Sequence, residues 1–185
     1  IYFPPISTEM WDTKTLSEIG YNETNLQPLL NFLEDKNTKS FIMLHNGKIV
    51  IEAYMNGHTE SSPWYWASAG KTLTTATTGI AQDGGLLNIN DKVSDYIGTG
   101  WTSISLEKEN LITCKNLLSM TSGLDDTLGN NISAENLQYS ADADDRWAYH
   151  GVFLKLQDVV SNASNQTWTS YFNTNLKDKI GMTGS

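Results

Sequence analysis

Strand-forming pattern is confined to one place in this chain, and that confinement limits what the rest can build. Residues 41–44 and 48–55 are apolar, β-favouring runs on either side of His45-Asn46-Gly47. Asn-Gly between two such runs suits a tight turn, so a hairpin is predicted here. A lone hairpin is marginal in water; three or more strands, or a covering layer, are needed. No further strand stands out in residues 60–185. The chain begins at Ile1, read as a processed or trimmed start, and stops at Gly181-Met182-Thr183-Gly184-Ser185, just after a helical pattern. The expectation is an N-terminal part of a longer protein. The strands that complete its sheet would come from residues outside these 185 or from a second chain.

Elsewhere the apolar residues fall at helical spacing. Leu26, Leu29, Leu30 and Leu33 predict one helix, with Asn22 or Thr24 as its cap and Pro28 tolerated in the first turn. Leu73, Ala76, Ile80 and Ala81 predict a second, closed by Gly84-Gly85. Residues 89–96 read as a turn into a short helix, and Asn116, Leu117, Leu118 and Met120 as another that ends at Gly123. Val152, Leu156, Val159 and Val160 form a further stripe; Trp168, Tyr171, Phe172, Leu176 and Ile180 form the last. Residues 1–20, with Pro4-Pro5, read as an extended lead-in, and residues 61–66 as a loop. Its aromatics Trp64, Tyr65 and Trp66 suit pocket lining and packing equally well.

Composition excludes some partners. The net charge is -9 and the pI about 4.6, which disfavours nucleic acid and anionic membrane surfaces. No apolar run reaches membrane-spanning length. The single cysteine, Cys114, allows no internal disulfide and reads as a small core residue. No Cys/His cluster suggests zinc, and no glycine-rich loop suggests a phosphate cofactor. Asp142, Asp144 and Asp145 lack the central glycine and terminal glutamate of a calcium loop, so residues 124–146 read as a solvated acidic loop. No metal or cofactor is expected.

The chemistry-bearing stretch is Trp66-Ala67-Ser68-Ala69-Gly70-Lys71, a Ser-x-x-Lys at a predicted helix start. Residues three apart on a helix share a face. A serine hydroxyl is a weak nucleophile until a base takes its proton, and an amine one turn away is a candidate base. Developing negative charge is also favoured near a helix N-terminus. On these six residues alone, Ser68 is better explained as a helix cap and Lys71 as a solvated first-turn residue, because caps far outnumber nucleophiles. His45, in the turn, His58 and His150 offer no clear rival triad, and Ser68 lacks a Gly-x-Ser-x-Gly elbow.

Five stretches, in order, resemble the penicillin-recognising serine hydrolases: class C β-lactamases, D-alanyl-D-alanine carboxypeptidases and β-lactamase-fold esterases. They are Trp66-Ala67-Ser68-Ala69-Gly70-Lys71-Thr72-Leu73, Gly85-Leu86-Leu87-Asn88-Ile89-Asn90-Asp91-Lys92-Val93, and Ile112-Thr113-Cys114-Lys115-Asn116-Leu117-Leu118-Ser119-Met120-Thr121-Ser122-Gly123-Leu124, the most specific. Trp147-Ala148-Tyr149-His150-Gly151 and Lys179-Ile180-Gly181-Met182-Thr183 complete the set. The resemblance implies an α/β (α+β) fold, an antiparallel sheet flanked by helices plus an all-helical region. Residues 1–60 would supply the first helix and two strands, and residues 61–185 the helical region with the Ser-x-x-Lys and tyrosine motifs; the C-terminal strands would be absent.

The resemblance also implies roles. Ser68 would be the nucleophile, Lys71 the base of acylation or a proton shuttle, and Tyr149 the group that trades protons with nucleophile and leaving group. The implied function is a serine hydrolase acting through an acyl-enzyme on a small ester, amide or peptide substrate, located in the bacterial periplasm or secreted. A true β-lactamase and a non-catalytic binding module are the alternatives. Where the family has an asparagine two residues after the tyrosine, this chain has Gly151, which is expected to leave room for a larger or ester substrate. The family's third motif, on an edge strand that supplies an oxyanion donor, does not follow in this chain. A complementing C-terminal chain is therefore a candidate partner, and the 185 residues by themselves are expected to be impaired.

Overall fold

The computed structural model describes residues 1–6 and 10–183, which form two compact units, 1–65 and 66–185. Part of the expected lead-in, residues 7–9, and the chain's final two residues lie outside the described residues.

In the first unit, β1 (Ser40–His45) and β2 (Lys48–Tyr54) pair antiparallel. His45 closes β1 and is not part of the turn. Asn46 and Gly47 both have positive φ (53° and 87°), as a two-residue turn of the mirror-image type needs. The register slips between Met43 and Leu44, a bulge that leaves an extra residue on β2. The lead-in is not free: Asp12 and Lys14 exchange backbone hydrogen bonds with Ile49, laying the chain along β2. The first helix, α1 (Leu26–Asp35), follows a 3-10 turn in which Asn22 accepts from the Thr24 amide. Among the described residues the sheet stays at two strands, and Ile42 and Leu44 remain about half exposed on its outer face.

The second unit is helical: α2 (Gly70–Asp83), α3 (Val93–Ile97), α4 (Leu106–Glu109), α5 (Cys114–Ser119), α6 (Lys155–Ser164) and α7 (Trp168–Phe172). Helix α6 is its hub, touching α2, α3, α5 and α7. Its stripe Leu156, Val159 and Val160 is fully buried, as the spacing predicts. Cys114 is also buried in this core. After α7 the last stripe does not continue as one α-helix. It passes through a π turn (Asn173–Lys177) and a 3-10 turn (Asp178–Ile180), which leaves Ile180 exposed.

The expectations for α2 and α5 also need correction. The inward face of α2 is Thr74, Thr77, Thr78 and Ala81; of the expected stripe, Ala76 is exposed and Leu73 and Ile80 only half-buried. Thr77 and Thr78 donate their hydroxyls to the Leu73 and Thr74 carbonyls at 2.7 and 2.9 Å. Once each hydroxyl is satisfied on its own helix, the methyl group packs as an apolar one. Helix α5 ends at Met120, which turns left-handed (φ 60°), not at Gly123. Gly123 is needed further on: a Cβ there would sit 2.3 Å from the Ala141 carbonyl oxygen.

Residues 124–146 are also not merely solvated. Asp142 accepts from Lys108 at 2.6 and 2.8 Å, and Asp144 accepts from the Asn116 amide at 2.7 Å and the Thr121 hydroxyl at 3.0 Å. The acidic residues act as clips that tie this long loop to α4 and α5.

Candidate active site

The chain enters α2 through a 3-10 turn, Ala67–Ala69. Ala67 has φ 43°, a left-handed conformation that costs a non-glycine residue energy. Such strain beside a reactive side chain is a pattern of functional sites. Ser68 is exposed on that turn, and the α2 cap position is Ala69, with no side-chain cap bond. Ser68 is therefore not the cap of α2. Lys71 lies in the first turn of α2, half-buried.

Tyr149 arrives from the far end of the long loop. The Ala148 amide donates to the Met120 carbonyl at 2.9 Å, fixing the strand-like segment before α6 against the end of α5. The start of α5 is set by a capping box, in which Thr113 and Asn116 each accept from the other's backbone amide. Asn116 then reaches across to Asp144. The segment 112–124 thus holds the loop that presents Tyr149.

The three residues named from the sequence are brought together. The Lys71 Nζ lies 4.8 Å from the Tyr149 ring centroid, and the Lys71 and Ser68 side chains lie close enough to the Tyr149 hydroxyl to act on its ionisation. The Lys71 side chain, and after it that of Ser68, favours the phenolate and holds the Tyr149 pKa below the ordinary tyrosine value. Of the three aromatics before the site, Trp64 packs edge-on to His58 in the first unit, and Tyr65 is exposed. Trp66 lines a groove with Leu73, Trp168, Phe172 and Met182. None of the three is a core residue.

Gly151 does not leave a gap. A Cβ at that position would lie 3.3 Å from both the backbone and side-chain oxygens of Asn130. The loop at Asn130 passes close over this glycine, a contact between residues 21 positions apart that no local pattern signals. Gly151→Ala is expected to cost about 1–2 kcal/mol by overpacking. A thermal melt equal to that of the parent protein would show that the Asn130 loop moves aside freely.

The beta-lactamase family profile matches residues 35–185. The chain belongs to that family. No curated protein sequence matches it. Among solved structures, FmtA from Staphylococcus aureus superposes with a TM-score of 0.67 at 18% identity, over 93% of this chain and 50% of that one. A candidate 6-aminohexanoate-dimer hydrolase from Bacillus anthracis gives 0.74 at 18% identity, covering 97% and 55%. A penicillin binding protein from Bacillus halodurans gives 0.64 at 17% identity, covering 84% and 56%. This beta-lactamase family chain shares their fold and spans about half of their length. No helix among its described residues is long and apolar enough to cross a membrane.

Proposed function

We propose that this chain carries the nucleophile and proton-transfer groups of a serine hydrolase that works through an acyl-enzyme. The observation supporting this reading is the convergence of Ser68 and Lys71 on the Tyr149 hydroxyl. Ser68 Oγ attacks a substrate carbonyl carbon while its proton passes to Tyr149, either directly or through Lys71 as a shuttle. Lys71 and Ser68 favour the phenolate that accepts it. The tyrosine then returns the proton to the leaving alcohol or amine as the carbonyl re-forms. Water attacks the acyl-serine by the reverse of the same transfer.

The substrate class is a small ester, amide or peptide, met in the bacterial periplasm or outside the cell. Position 151 offers no carboxamide of its own, which supports an ester or peptide over a β-lactam. The Asn130 side chain lying against Gly151 favours β-lactam hydrolysis as the second reading. A nitrophenyl acyl ester and nitrocefin, offered to the protein at its natural length, separate the two. The ester reading is lost when nitrocefin turns over efficiently and the ester does not.

Intact-protein mass after exposure to a fluorophosphonate tests the nucleophile itself, one adduct on Ser68 being expected. The rate of that labelling should rise with pH as Tyr149 ionises, and at lower pH than a free tyrosine would allow, because its pKa is lowered. Tyr149→Phe should remove that rise and slow labelling by about 100- to 10,000-fold. A rate within threefold of the parent would remove Tyr149 from the mechanism.

A further inference from the structure

His150 is the least explained group beside the site. Its side chain is 3% exposed, while the neighbouring Tyr149 is 49% exposed. The His150 backbone is extended (φ -139°, ψ 145°), so the two side chains leave the chain on opposite sides, the phenol outward and the imidazole into the unit. The imidazole Nδ1 accepts from the Val152 amide at 3.2 Å, capping the 3-10 turn Gly151–Leu154 that runs directly into α6. Its Nε2 is buried with no hydrogen-bond partner among the described residues. An acceptor Nδ1 means that Nε2 carries the proton and the ring is neutral. The histidine thus leaves a buried donor unsatisfied, at a cost, while its other nitrogen holds the backbone two residues on.

That backbone is the support of Tyr149. On one side, the Met120 carbonyl holds Ala148; on the other, the imidazole holds Val152. We infer that His150, in the tautomer with an unprotonated Nδ1, is a positioning residue that fixes Tyr149 against Ser68 and Lys71. This rests on the role proposed above for Tyr149. Protonating the ring would remove the acceptor and break the tie to Val152. The charged groups that act on the ring are Asp125 and Asp126, the second of which is paired with Arg146; both favour the cation. Burial opposes it and prevails, so the His150 pKa lies below the ordinary histidine value. The tie therefore persists at neutral pH and is lost as the solution is acidified through that lowered pKa.

Fluorophosphonate labelling of Ser68 across pH tests this in three forms of the natural-length protein: the parent, His150→Asn and His150→Leu. The asparagine Oδ1 can take the place of Nδ1 as acceptor; leucine offers none. His150→Leu should label on the order of 10- to 100-fold more slowly, the effect of a displaced reactive group. His150→Asn should label at a rate close to the parent's and lose the acid-side fall that the imidazole causes. Equal rates and pH profiles for the leucine variant and the parent would overturn the inference. Nitrogen NMR of the parent imidazole covers the case in which leucine is not accommodated: a protonated Nδ1 at neutral pH also overturns it. Failure of the underlying reading looks different, because then Tyr149→Phe labels like the parent, or Ser68 takes no adduct at all.

Discussion

Ser68→Ala is expected to abolish fluorophosphonate labelling and to lower ester turnover by on the order of 10,000- to 1,000,000-fold. The alanine has no oxygen to attack a carbonyl. The fold should not notice. Ser68 is exposed and caps no helix, so the unfolding free energy should stay within the scatter of a surface substitution, about 0.5 kcal/mol. That combination separates chemistry from structure. A non-catalytic binding protein of the same fold would keep whatever ligand affinity it has in the alanine variant and would show no labelling in the parent. Turnover retained within tenfold in Ser68→Ala would end the serine-hydrolase reading.

The largest stability effect is expected far from the reactive groups, at Glu109. This glutamate is fully buried at the end of α4. One carboxyl oxygen accepts from the Gly100 amide at 2.8 Å and the Ser94 hydroxyl at 3.5 Å; the other accepts from the Thr102 amide at 2.9 Å and its hydroxyl at 2.6 Å. Ser94 in turn accepts from the Trp101 indole at 3.2 Å. One side chain therefore satisfies two backbone amides, those of Gly100 and Thr102, in the loop between α3 and α4. Glu109→Ala would strand these donors in the interior and should cost about 3–4 kcal/mol. Glu109→Gln keeps the volume but turns one acceptor into a donor facing other donors, so it should recover only part of the loss. Urea denaturation of the three forms measures both. A loss below 1 kcal/mol in the alanine variant would mean that water replaces the carboxyl group.

Labelling and denaturation report on different layers of the same unit. The core around α6 and the Glu109 network hold the helices, and the loop clips through Asn116, Asp142 and Asp144 hold the loop between them. Only the last few residues of that loop, Ala148 to Val152, carry the tyrosine to the serine. Damage to the first layer should unfold the unit, whereas damage to the tie at His150 should leave it folded and slow.

What the sequence determined by itself is what local rules control. The hairpin about Asn46-Gly47 was legible because the turn type is decided by two residues whose positive φ values asparagine and glycine tolerate. The α6 stripe was legible because helical spacing acts within one or two turns. Spacing named Ser68 and Lys71 only as a candidate pair, and the resemblance in ordered motifs named Tyr149 as the candidate third member. Tertiary structure decided the rest. It turned a threonine face of α2 inward, because back-bonded hydroxyls hide their polarity from any hydropathy pattern. It ended α5 at Met120, brought the Asn130 loop onto Gly151, gave Glu109 its buried partners and buried the His150 ring. Each of the last three rests on groups brought into register by the packed core, and such contacts leave no periodic trace along the chain.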